Sequence, residues 1–115
     1  MTELKHQTCE ACSPHAHLLS ETEIDALKPQ VPDWKLFKHE GEGRLERVYK
    51  FPNFKTALEF TNRVGDEAEK EGHHPALLTE WGKVTVTWWT HAISGLHKND
   101  FIMAAKTDTI RESMP

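Results

Sequence analysis

Cysteine is scarce in this chain: two in 115 residues, Cys9 and Cys12, both near the N-terminus. A bridge between them would close too short a loop to staple a fold, so the core must do that work. Long apolar runs are missing too. The longest uninterrupted one, from Phe101 to Ala105, is five residues, against the roughly 20 that a bilayer-spanning helix needs. No apolar stretch follows Lys5, so no secretion signal is read; the expected compartment is the cytoplasm, where both thiols stay reduced. Positive charge is not in excess, since 14 Lys and Arg stand against 18 Asp and Glu for a net −4. Such a field repels phosphate polyanions and argues against nucleic acid as a direct ligand. A nucleophile elbow, a phosphate-cradling glycine loop and a dinucleotide fingerprint are all absent, so serine, cysteine and nucleotide chemistry have no local support.

Histidine, by contrast, is abundant, with eight residues. The length suits one domain with a two-layer core. Residues 1–19 are polar, interrupted by Pro14, and read as an N-terminal arm that adds little to the core; residues 20–115 read as the folded domain. Ser20 and Glu23 fit a capping box opening a short helix that runs to Pro29. Residues 34–39 and 45–51 are extended runs around a turn at 40–43, with Leu45, Arg47, Tyr49 and Phe51 on one face. Asn53 caps a long helix whose Phe54, Ala57, Leu58, Thr61, Val64 and Ala68 recur at helical spacing, and Gly72 suits a left-handed stop. A second hairpin spans 77–81 and 83–90 around Gly82, and a last helix covers about 98–113. The order α-ββ-α-ββ-α predicts an α+β fold: a four-stranded antiparallel sheet with helices packed on one face. Trp88 and Trp89 are adjacent and point to opposite faces, which leaves a large aromatic to spare and favours an oligomer, with Trp88 at the interface.

The densest chemistry lies at Glu69, His73, His74 and Pro75, joined by the turns to Trp81, His91 and Asp100. Pro75 keeps His74 out of helical geometry, so both histidines fall on a loop. Imidazole gives and takes protons near neutral pH, and several around one pocket permit acid and base work together. Solvated loop histidines, or a zinc or iron site, are the alternatives from spacing alone; no H-x3-H helical pair makes the metal specific. The run Cys9-x2-Cys12-x2-His15-x-His17 is a second, separate metal candidate, with its two histidines closer than usual.

The pattern Glu69-x3-His73-His74-Pro75-x5-Trp81-x9-His91-x8-Asp100 closely resembles the signature of the pterin-4a-carbinolamine dehydratases. The flanking text, Glu71-Gly72-His73-His74-Pro75 and the run from Leu78 to Trp89, looks most like bacterial members that accompany phenylalanine hydroxylase; Trp89 and Ala92 stand where the animal proteins carry other residues. The resemblance spans about residues 20–112. It implies dehydration of a 4a-hydroxytetrahydropterin, with no cofactor beyond the substrate. His73 and His91 would then form the acid/base pair, and His74, the third catalytic imidazole, would bind and orient the pterin with a proton-transfer role open to it. Gly72, Pro75, Trp89, Thr90 and Ala92 would line the substrate site, with Glu69, Trp81 and Asp100 in support. The implied partners are a second copy or more (homodimer or homotetramer) and phenylalanine hydroxylase. Because animal relatives also bind a homeodomain transcription factor, an interaction or regulatory protein is the competing reading.

Overall fold

The computed structural model describes residues 3–10 and 16–115. Helix α1 (Glu21–Leu27) starts as its capping box dictates: Glu23 N donates to Ser20 Oγ at 3.2 Å, and Ser20 N donates back to Glu23 Oε1 at 2.9 Å. Strands β1 (Lys35–His39) and β2 (Glu42–Lys50) form the first hairpin. Its turn is tighter than the sequence predicts, because Glu40 and Gly41 both adopt positive φ and let the strand resume at Glu42. Asn53 caps α2 (Phe54–Glu71) by accepting from Thr56 N at 2.8 Å, and Gly72 ends it with φ +65°. Strands β3 (Ala76–Glu80) and β4 (Lys83–Trp88) make the second hairpin, a 3-10 turn covers His91–Ile93, and α3 (Lys98–Glu112) follows.

All strand pairs are antiparallel, in the order β1-β2-β4-β3, so the two longer strands sit centrally and both edges are five residues long. Pairings such as Leu45 with Trp88 and Tyr49 with Val84 put one row of apolar side chains on the helix-bearing face. Phe60 and Val64 of α2 and Phe101 and Met103 of α3 close over that row. This is the α+β architecture expected. On α2 the buried stripe is Ala57, Phe60, Val64 and Ala68, whereas Phe54 and Leu58 are 46% and 42% exposed. Three- and four-residue steps from Ala57 reach Phe60, Val64 and Ala68, while Leu58 stands about 100° round the helix from Ala57.

Two expectations are corrected. Trp88 is fully buried in the monomer core, where its indole N–H donates to Thr107 Oγ1 at 3.2 Å; the exposed tryptophan is Trp81, at 72%. The arm does enter the core, because Leu4 is 1% exposed and packs among the buried apolar residues in a 3-10 turn, Leu4–His6, set against α3.

Candidate active site

Where α2 stops, the left-handed Gly72 redirects the chain, and His73 N donates back to Ala68 O at 3.1 Å. That closure turns His73 inward. Its ring is 3% exposed and stacks on Trp88 with centroids 5.6 Å apart and planes 9° apart. Its Nε2 lies 2.6 Å from Asp100 Oδ1. The other oxygen of Asp100 accepts from Thr90 Oγ1 at 2.8 Å and from His97 N at 2.9 Å, so the carboxylate is held by donors on every side. With an acceptor in that position, the proton of the neutral ring belongs on Nε2.

His74 faces outward. It is exposed, and its Nε2 meets Glu69 Oε1 at 2.5 Å, one turn back on α2. His91 arrives from the other side, opening the 3-10 turn after β4, with its ring 4.5 Å from that of Trp89. The guanidinium of Arg44 lies over Trp89 at 3.9 Å. Gly72, His73, His74, Trp89, His91 and Ala92 together line a cleft of about 230 Å³. That is below the roughly 300–1,000 Å³ of drug-sized pockets and suits a small fused ring better than a dinucleotide. Larger cavities of about 310 and 350 Å³ elsewhere carry no imidazole in their walls.

Three loop or strand-end imidazoles therefore do share one cavity. Other residues expected at the site stand apart from it. Thr90 is buried behind the wall and braces Asp100, Pro75 is not among the lining residues, and Trp81 sits exposed at the β3–β4 turn. Asp100 is both the first-turn carboxylate of α3 and the partner of His73. Glu69 orients His74, not His73. Sequence reasoning missed Arg44, Glu71, His97 and Asn99. The only available signal was the N-cap position of His97, whose Nδ1 accepts from Asn99 N at 3.0 Å.

Among the described residues, no group of three or more His, Cys, Asp or Glu side chains is placed to hold a metal. Of the arm candidate, Cys12 and His15 lie outside the described residues, and His17 Nε2 is 2.8 Å from Glu23 Oε1. No helix among the described residues is long and apolar enough to cross a membrane.

Comparison with known proteins points to one family. The profile of the family described as Pterin 4 alpha carbinolamine dehydratase matches residues 17–110. A Microcystis aeruginosa protein named, by inference, pterin-4-alpha-carbinolamine dehydratase is 59% identical over 110 residues, 96% of this chain and 95% of that one. A Nitrosococcus oceani protein of the same name is 60% identical over 110 residues, 96% of this chain and 97% of that one. A Brucella melitensis crystal structure described as a transcriptional coactivator/pterin dehydratase superposes with a TM-score of 0.73 at 32% identity, over 82% of this chain and 98% of the other. A pterin dehydratase-like protein described as a RuBisCO assembly factor in the alpha-carboxysome shares the fold, with a TM-score of 0.60 at 18% identity over 71% and 93% of the two chains.

Proposed function

The chain belongs to the pterin-4a-carbinolamine dehydratase family, and from that premise we propose that it removes water from a 4a-hydroxytetrahydropterin by histidine acid/base catalysis. The product is the quinonoid dihydropterin. The observation that carries this reading is the meeting of His73, His74 and His91 in one small cleft. Loss of water needs a proton delivered to the 4a-hydroxyl as the C4a–O bond breaks. It also needs a proton taken from N5, whose electron pair closes the new C=N bond. No electrons change hands, so the reaction as written needs no redox cofactor.

His73 is suited to taking the N5 proton, since the buried carboxylate of Asp100 stabilises the imidazolium that results. His91 is exposed and can recharge from solvent, which suits it to protonating the leaving hydroxyl. His74, held by Glu69, binds and orients the ring, and Trp89 offers it a flat wall backed by Arg44. Return of the product to a phenylalanine hydroxylase, and assembly as a homodimer or homotetramer, complete the proposal; the exposed Val48, Leu78 and Trp81 support contact with another chain.

The test is turnover of a synthetic 4a-hydroxytetrahydropterin above its spontaneous rate. His73→Ala and His91→Ala should each lower kcat by about 10²- to 10⁴-fold with the circular dichroism spectrum retained. Wild-type protein that leaves the spontaneous rate unchanged would refute the reading. It would favour a purely interacting protein, a role for which the Brucella melitensis relative, described as a coactivator as well as a dehydratase, is the precedent.

A further inference from the structure

The arm is fastened on both sides of the His73–Asp100 bond. Glu10 N donates to Asn99 Oδ1 at 2.9 Å, and Asn99 Nδ2 donates to Glu10 O at 2.7 Å. One buried carboxamide thus grips one backbone unit at two points, as a neighbouring strand would. The preceding amide, Cys9 N, donates to Glu71 Oε1 at 2.9 Å. Glu71 is the last residue of α2, two before His73, and Asn99 immediately precedes Asp100 near the start of α3. Two successive arm amides are therefore taken by the two helix ends whose separation sets the 2.6 Å contact between His73 and Asp100. Further ties hold the arm in place: Glu10 Oε2 lies 3.5 Å from His97 Nε2, Lys106 Nζ donates to Lys5 O at 3.2 Å, and Leu4 is buried.

We propose that Asn99 is a positioning residue, and that residues 9 and 10, which it and Glu71 hold, form a strap that keeps His73 and Asp100 in register. Its kinetic consequence rests on the dehydratase reading above; its structural consequence does not. Asn99 is 1% exposed, and an amide so deeply placed is costly to leave unpaired. Asparagine is also the short side chain that supplies both the donor and the acceptor that a peptide unit requires. Proton transfer depends steeply on placement, so slack between the ends of α2 and α3 lowers the rate without changing what lines the cleft.

Two variants test the strap. Asn99→Ala removes both of its bonds to Glu10. Glu10→Pro removes the Glu10 N–H from the arm side and leaves α3 whole, so it carries the test if Asn99→Ala does not fold. Each should lower kcat by about tenfold with KM within about twofold, in the range that loss of an orienting partner costs. Each should also shift the ¹⁵N resonance of His73 Nε2, which a role in stability alone would leave in place. If hydrogen exchange at Cys9 N shows the arm released while kcat and the His73 resonance match wild type, the proposal is overturned. A wild-type protein without turnover would remove the dehydratase reading, and the His73 resonance would still decide whether the strap positions the ring.

Discussion

Two histidine–carboxylate pairs in this site are alike in chemistry and unlike in physics. His73–Asp100 is sealed from water, and the second Asp100 oxygen is pinned by Thr90 and His97. His74–Glu69 lies on the surface, where solvent screens the pair and both side chains can turn away. Asp100→Asn should therefore cut kcat by about 10- to 100-fold, because its amide presents donors to donors and upsets the His73 tautomer. Glu69→Gln should change kcat by less than about fivefold, the most that an exposed pair worth ~1 kcal/mol supplies. Steady-state dehydration kinetics on the two variants check this, and equal losses would contradict the ranking. Glu69 stands four residues before His73 in the sequence, yet the imidazole it holds is that of His74. The left-handed Gly72 instead swings His73 towards a carboxylate 27 positions away, a partner that helical spacing cannot reveal.

The elements most legible in the sequence were those whose signals fit within four residues. Ser20 with Glu23, Asn53 before α2 and Gly72 after it each act through local backbone groups, and each is found in its expected role. Strand alternation likewise puts Val84, Val86 and Trp88 on one face of β4, the buried one, whereas no local pattern makes the tertiary choice of Phe60 over Leu58 on α2. The capping box has a pH signature. Glu23 accepts from Ser20 N and faces His17, and these bonds hold its carboxyl down from 4.5 to about 2. A depressed carboxyl stabilises the fold above its unfolded value, and that contribution is lost as pH falls from about 4.5 towards 2. Glu23→Ala should flatten this part of the acid limb in thermal melts recorded across that interval; an unchanged slope would mean that α1 frays at no cost to the domain.

At the scale of the whole molecule, Asp108 ties distant parts of the chain together. It accepts from Trp34 Nε1 at 3.0 Å, from Arg47 Nη1 at 2.7 Å and from the Tyr49 hydroxyl, joining α3 to β2 and to the segment before β1. Asp108→Ala leaves these donors without their acceptor and should cost about 2–3 kcal/mol in urea unfolding. Burial, and then the hydrogen bond to Asp108, push the Tyr49 hydroxyl far above its ordinary value of 10.0. The sign follows: above pH ~10 the unfolded chain releases this proton and the folded one keeps it, so stability falls as pH climbs. Tyr49→Phe should be less stable at neutral pH and show a shallower alkaline decline in thermal melts. None of this network was legible, since its members lie 59 to 74 positions apart. The same holds for the insertion of β4 between β2 and β3 and for the burial of Leu4, which depend on how finished elements pack. The stack of Trp88 on His73, with ring planes nearly parallel at 9°, has an optical consequence. An indole stacked on an imidazole is quenched when that ring gains charge, so the intrinsic fluorescence of this protein carries a label-free readout of His73.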